Sequence, residues 1–275
     1  MSPRILVNIP ILNEIQNIER LVTSVMRELD GLDFTLLIVD DGSSDGTLEY
    51  IHRVIPSSHG RIAVLQRRKT TPGCQRGAAL LAGVRWALAN DSYDVFVEMD
   101  GDLSHRPEEL RSGIDAITCG AADIAIASKY VPGSRISGRT MDRTLISIIC
   151  NIAVRSLIRW NIRDFSNGYR FYNRAAAQLI PQHIIRYGSP IYLTEVMAIW
   201  LKDGLRVIEI PSHYTGRHKG WSKVRLRDYF KASVGVIEIF TRYRLRGFAR
   251  DPDAPSASPE ELDRASREAA AESND

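Results

Sequence analysis

Long uninterrupted apolar runs are missing from this chain of 275 residues. The longest, TLISIICNIAVRSLI from Thr144 to Ile158, is broken by Asn151 and Arg155. It falls short of the roughly 20 residues a spanning helix needs, so no transmembrane helix is expected. Cysteine is scarce as well: Cys74, Cys119 and Cys150 are an odd number at no metal-ligand spacing, which excludes a disulfide framework and a cysteine-built zinc site. The opening MSPRILVNIPILNE is too soon broken by proline and charge for a signal peptide, and a reducing, cytoplasmic setting is expected. No GxGxxG follows the first predicted strand, and GCQRGAALLAGVRWA lacks the Lys-Ser/Thr of a phosphate-binding P-loop, which weighs against dehydrogenase and NTPase readings. Helix-turn-helix, zinc-finger and RNP-like patterns are absent too, so nucleic acid is not an expected partner.

What is present suffices for a full core, with 44% hydrophobic and 25% charged residues. Charge is unevenly spread. The segment DPDAPSASPEELDRASREAAAESND, residues 251–275, carries eight acids against two arginines, so the body before it is more basic than the whole chain's +3. That segment reads as a solvated, disordered acidic tail. A basic body points to an anionic partner such as a nucleotide or a phospholipid surface.

Short β-rich runs alternate with helical periodicity. RILVNIP precedes a predicted helix from about Glu14 to Leu29, FTLLIVD one near Gly46 to Val54, RIAVLQR one near Arg76 to Ala89, and DVFVEMD one from Pro107. Such βαβ units build a mostly parallel sheet flanked by helices, and continuous apolar runs such as TLLIVD suit strands covered on both faces. Ligands of such sheets bind outside the carboxyl ends of the strands.

Those ends carry IPILNE, VDDGSSDGT and MDGD. Asp100 and Asp102, alternate residues leaving a strand, offer two hard oxygen ligands to a divalent cation that also takes oxygens from a diphosphate. The plainer alternative is a helix cap or a solvated loop. Capping by Ser43, Ser44 or Asp45, with Gly42 and Gly46 turning the chain, accounts for much of VDDGSSDGT. It leaves Asp40 and Asp41, which can accept hydrogen bonds from the base and ribose of a nucleotide.

Four motifs in order then carry a resemblance: Pro10-x-x-Asn13-Glu14, Val39 to Thr47, the Gly77-x-Ala79 helix start followed by Gly83, and MDGDLSHRPE, with Gly101 for the usual alanine. Over about residues 4 to 245 the chain resembles the GT-A-fold family 2 glycosyltransferases. Within them it is similar to the dolichyl-phosphate and polyprenyl-phosphate mannose synthases, whose second-half motifs are matched by SKYVPGSRISG, RTLIS, DFSNGYRFYNR and HYTGRHKGWSK. The resemblance implies an α/β GT-A (Rossmann-like) domain over 1–225, an amphipathic C-terminal helix over 226–250 and the tail over 251–275. It implies a nucleotide-sugar site built on Pro10, Asn13, Glu14, Asp40, Asp41 and Asp100, and Mg2+ or Mn2+ on Asp100, Asp102 and Ser104. Lys129, Arg143 and Ser147 would hold an acceptor phosphate, and Arg217 and Lys223 would join Asp102 as catalytic groups. Lys129 stands where the family usually has arginine, keeping the charge without the bidentate fork.

The implied reaction is inverting transfer of a hexose from GDP-mannose or a UDP-hexose to a polyprenyl phosphate, at or near a membrane surface. Two other readings stay open: a transferase acting on a small-molecule or peptide acceptor, and a catalytically idle nucleotide-sugar-binding protein. Glu195, in YLTEVMAIW, lies where family 2 enzymes acting on hydroxyls carry a base, yet mannose synthases also keep an acid there. His105 and His218 read as a helix-start and a loop residue. VRLRDYFKASVGVIEIFTRYRLRGFAR sets Phe230, Val234, Ile237 and Phe240 on one stripe among arginines, a helix suited either to an anionic bilayer or to packing on the domain. The helix from about Arg139 to Arg159 offers the same two choices. None of the transmembrane hairpins that some polyprenyl-phosphate enzymes append is expected, and the resemblance is to the soluble, peripheral type.

Overall fold

The structure is a computed structural model that describes residues 2–67, 75–90, 93–138, 140–216 and 226–251, with the side chains of 142, 143 and 226–233 also outside the described set. A seven-stranded sheet forms the centre. Its strands are β1 (Arg4–Ile11), β2 (Asp33–Asp40), β3 (Ile62–Gln66), β4 (Val95–Glu98), β5 (Ile124–Ser128), β7 (Arg170–Asn173) and β8 (Val207–Pro211). The order is β3-β2-β1-β4-β7-β5-β8, with β7 antiparallel to both neighbours and every other pairing parallel. A small parallel pair, β6 (Arg135–Ser137) and β9 (His213–Thr215), stands apart.

The helices are α1 (Ile18–Glu28), α2 (Thr47–Val54), α3 (Arg76–Asn90), α4 (Leu110–Thr118), α5 (Met141–Leu157), α6 (Arg174–Leu179), α7 (Tyr192–Lys202) and α8 (Leu226–Thr241). Apolar clusters line both faces of the sheet, as the continuous apolar strands require. In α1, Ile18, Leu21, Val22 and Val25 are buried, each stabilising by about 1.5–3 kcal/mol on full burial. Close approach of α3 to the sheet and to α7 depends on small residues. A Cβ at Gly83 of α3 would sit 2.2 Å from Asn8 Oδ1 on β1, and one at Gly77 would sit 2.3 Å from Tyr192 Cβ on α7.

Three predicted helix bounds shift. α1 begins at Ile18 rather than Glu14, because Asn13 takes a left-handed backbone (φ 57°) and Glu14–Asn17 form a turn in which Asn17 Nδ2 donates to Glu14 Oε2 at 2.8 Å. A 3-10 turn over Pro107–Glu109 precedes α4. α8 ends at Thr241 and passes into a π turn over Arg242–Arg246. Ala249 then accepts from the Ile184 N–H, and Asp251 N–H donates to Gln182 at 2.8 Å. Asp251, assigned to the tail from sequence, is thus bonded to the body, while 252–275 lie outside the described residues. Among those residues no helix is long and apolar enough to cross a membrane.

The chain steps from β1 outward to β3, then returns to place β4 on the other side of β1. That reversal opens a crevice beyond the carboxyl ends of β1 and β4. β4 pairs only with Ile5 to Asn8 of β1, so Pro10, which has no N–H to give, lies past that ladder.

Candidate active site at the carboxyl ends of the strands

The loops after β1 and β2 lock together. Asp40, 1% exposed, accepts from the backbone N–H of Gly42 and Ser43 and from the Ser43 hydroxyl. Ser43 Oγ in turn accepts from the Asn13 N–H at 2.9 Å, and Asn13 Oδ1 accepts from the Ser44 N–H at 2.8 Å. Asp45 accepts from Thr47 and from the Ile15 N–H; burial works to raise its carboxyl, but these hydrogen bonds prevail and hold it below the ordinary value. Glu14 N–H donates to the Thr47 hydroxyl at 2.9 Å. Asp41 pairs with Arg67 Nη1 at 2.6 Å. The two loops therefore form one stiff wall carrying Pro10, Asn13, Glu14 and Asp41, with Asp40 turned inward as the brace of its own loop.

The DGD turn lies directly on this wall, since a Cβ at Gly101 would come 2.9 Å from Ile11 Cγ2 and 3.4 Å from the Pro10 carbonyl oxygen. Asp100 is ion-paired with Arg76, the first residue of α3. Its N–H donates to His105 Nδ1 at 3.0 Å, which leaves the proton on Nε2 to donate to Asn167 Oδ1 at 2.8 Å. Burial pushes the His105 imidazole pKa down against the opposing pull of Asp100 and Asp102, so the ring is held neutral. It stacks on Tyr169 with centroids 4.9 Å apart. Asp102, 5% exposed, accepts from the Ser104 N–H at 3.1 Å, and Leu103 between them is left-handed (φ 60°). Ser104 Oγ is buried with no hydrogen-bond partner among the described residues.

Beneath this turn sits a buried polar layer. Glu98 Oε1 accepts from Tyr172 and Tyr192 at 3.0 and 3.3 Å, and burial raises its pKa despite Arg170 and Arg76. Arg170 donates to the carbonyls of Asn167, Leu193 and Phe165, and burial lowers its pKa to about 10.

At the end of β5, Lys129 Nζ lies 3.2 Å from Asp164 and faces the Tyr130 and Tyr214 rings. Burial alone would raise the Asp164 carboxyl; Lys129 and the N–H and hydroxyl donors around it outweigh burial and hold it below the ordinary value. The Tyr130 hydroxyl donates to Ser147 Oγ on α5 at 2.9 Å. Tyr130 thus stands between Lys129 and Ser147, which lies within α5, while the Arg143 side chain is outside the described set. β9 runs to the metal-type turn, its Thr215 N–H donating to the Ser104 carbonyl at 3.1 Å. Gly216, the last described residue there, donates to the Ser137 carbonyl at 2.7 Å. Arg217 and Lys223 follow it in sequence and lie outside the described residues.

Glu195 lies elsewhere, fully buried, accepting from the Arg186 and Tyr187 N–H groups and from Arg242 Nη2 at 2.7 Å. Sequence reasoning missed Arg76, His105 and Asp164 as parts of the site. The motif strings DLSHRP and DFSNGYR contain two of them, but their partners lie up to 62 residues away, beyond the reach of local spacing.

Among the described residues no three His, Cys, Asp or Glu side chains gather to cage a metal. A divalent ion that shares its shell with a diphosphate does not need such a cage, because one or two carboxylates plus phosphate oxygens suffice. Asp100, Asp102 and the partnerless Ser104 hydroxyl, all hard oxygens on one turn, fit such an ion.

The sequence profile described as Glycosyl transferase family 2 matches residues 6–180. The polyprenol monophosphomannose synthase of Mycolicibacterium smegmatis is 36% identical over 254 residues, covering 90% of this chain and 92% of that protein. The undecaprenyl-phosphate mannosyltransferase of Micrococcus luteus is 33% identical, covering 80% and 87%. The dolichol-phosphate mannosyltransferase of Pyrococcus furiosus is 31% identical, covering 83% of this chain and 61% of that protein. A solved structure of glucosyl-3-phosphoglycerate synthase from Mycobacterium tuberculosis with Mn2+, UDP-glucose and glycerol 3-phosphate superposes with a TM-score of 0.60 at 20% identity, over 88% of this chain and 80% of that one. That likeness is one of fold, a mostly parallel GT-A-like sheet flanked by helices. A profile match over more than half the chain, with relatives above 30% identity along most of its length, identifies this chain as a member of glycosyl transferase family 2.

Proposed function

We propose that the protein transfers a hexose, mannose from GDP-mannose, to a polyprenyl phosphate with inversion at the anomeric carbon. The observation that carries this reading is the join between β5 and α5. Beyond the acids of the strand rim, Lys129 faces the Tyr130 ring, and Tyr130 bonds Ser147 within α5, a helix whose outer side exposes Met141, Leu145, Ile149 and Ile152. A phosphate with a long apolar tail suits that join, its head at Ser147, Arg143 and Lys129 and its chain along α5. The relatives' names point to the same acceptor class.

In the reaction an acceptor phosphate oxygen attacks the anomeric carbon from the side opposite the leaving group. The bond from that carbon to the nucleoside diphosphate breaks, and the diphosphate departs with the electron pair. Pro10, Asn13, Glu14 and Asp41 form the wall against which the nucleoside lies, and Asp40 keeps that wall in shape. Asp100, Asp102 and Ser104 would hold Mg2+ or Mn2+, which supplies positive charge where the leaving diphosphate develops negative charge. By the family resemblance, Arg217 and Lys223 would add cations to the same oxygens. An anionic phosphate oxygen needs no strong base. Glu195 fits that economy, since its carboxylate is fully occupied inside the fold.

Transfer of radiolabel from GDP-mannose, with UDP-glucose in parallel, to a short polyprenyl phosphate in detergent with Mn2+ tests this reading. Label in the lipid phase that EDTA removes is the expected result, with Asp102→Ala reducing it to background in a folded protein. Donor binding without lipid label from either sugar nucleotide would move the acceptor to a soluble molecule.

A further inference from the structure

Arg76 occupies an unfavourable place for a cation. It is the first residue of α3, where the helix dipole repels positive charge, and it lies close enough to the buried Arg170 to depress that residue's pKa. Its side chain is 16% exposed, and its guanidinium lies against the backbone of Gly168, where an added Cβ would meet Nη2 at 1.9 Å. What offsets these costs is Asp100, whose Oδ1 accepts from Arg76 Nε, with Glu98 adding a second attraction from below. The same Asp100 is one of the two carboxylates of the metal-type turn. A divalent ion bound there beside an undisplaced Arg76 would set two cations on one carboxylate, with Arg170 adding its repulsion to Arg76 from the layer below.

Resting on the reading that Asp100 and Asp102 hold the ion, we propose that Arg76 is a resident counter-cation that competes with the metal for Asp100. The free protein then binds divalent ion weakly, and metal enters together with the donor diphosphate, whose negative charge compensates both the ion and the released guanidinium. Arg76 is a positioning residue in this scheme, acting through Asp100. It sets the order of binding, with nucleotide favouring metal and metal favouring nucleotide to the same degree.

Mn2+ titration of the nucleotide-free protein, followed by the electron paramagnetic resonance signal of free Mn2+, tests this directly. Arg76→Leu is expected to tighten Mn2+ binding by about tenfold or more, the scale on which groups surrounding metal ligands act. Arg76→Lys, which keeps the charge, is expected to stay near wild type, and Arg76→Gln to follow leucine. Adding GDP is expected to tighten Mn2+ binding to wild type by a larger factor than to Arg76→Leu. A merely structural role would loosen the site in every variant, so weaker or unchanged Mn2+ binding in both neutral variants overturns the proposal. Absence of Mn2+ binding in wild type and all variants, with and without GDP, would instead sink the metal assignment itself. Thermal melts of each variant establish that folded protein is being compared, and the glutamine variant carries the test should the leucine variant fail to fold.

Discussion

Glu195 is fully buried, with Arg186 N–H, Tyr187 N–H and Arg242 all donating to its carboxylate, so its replacement removes a strut between α7 and the turn that follows α8. Glu195→Gln takes away the closer counter-ion of the buried Arg242 and leaves only Glu238 at 3.7 Å, a loss of up to about 3–5 kcal/mol for a broken buried pair. The expected outcome is a large drop in unfolding free energy by urea titration, with turnover per folded molecule close to wild type. A folded, stable glutamine variant without activity would restore the base role. The sequence showed an acid in the right region and left its task open, because its arginine partner lies 47 residues away and no spacing rule joins them. The same limit hid Arg76, 24 residues from Asp100. Asp100 and Asp102 were legible because both leave one strand end, where a two-residue period and a short turn fix their neighbourhood.

At the scale of elements, two loops are organised by a carboxylate turned back on its own backbone. Asp40 gathers the turn after β2, and Asp164 gathers 164–167, accepting from the Ser166 and Asn167 N–H groups and from Lys129. Asp164 has its folded pKa held below the ordinary 3.8, with Lys129 and the hydrogen bonds overriding burial. A depressed carboxylate contributes stability that is fully present above the unfolded pKa and is lost as pH falls through the folded one. The melting temperature of wild type is therefore expected to fall as pH drops below about 5 towards the folded value. Asp164→Asn should lower the melting temperature at neutral pH and flatten that acid limb. An acid limb of unchanged steepness in the variant would show that other groups carry it. The elements themselves were largely legible: alternating apolar strands and helices gave the parallel sheet, and the Gly42 and Gly46 turns gave the α2 start. The antiparallel β7 and the delayed start of α1 were not, since strand direction and the interlocking of two loops depend on contacts between distant segments.

For the whole molecule, the proposed polyprenyl phosphate acceptor raises the question of which face would meet a lipid surface. Sequence periodicity offered α5 and α8 on equal terms, because both carry an apolar stripe with basic flanks. Among the described side chains, the longer exposed stripe is on α5. α8 buries Ile239 completely, and Arg242 after it reaches Glu195 inside the domain, although Val234 and Ile237 remain exposed. α5 leaves Met141 87%, Leu145 59% and Ile149 57% exposed along one stripe, followed by an exposed Trp160 with Arg155 over its ring. Arg159 and Arg163 are exposed beyond it. An apolar stripe with basic flanks binds an anionic surface by two forces, burial of the stripe and attraction of the arginines. The attraction is screened over about 10 Å at 0.1 M salt, whereas the apolar contribution is not. Sedimentation with anionic vesicles is accordingly expected to be strong at low salt and reduced, not abolished, as salt rises. Leu145→Asp with Ile149→Asp should remove the salt-resistant fraction while leaving transfer to a short, detergent-dispersed acceptor measurable. Failure of wild type to sediment with anionic vesicles even at low salt would count against a bilayer-borne acceptor. Loss of binding on Val234→Asp with Ile237→Asp instead would move the contact to α8.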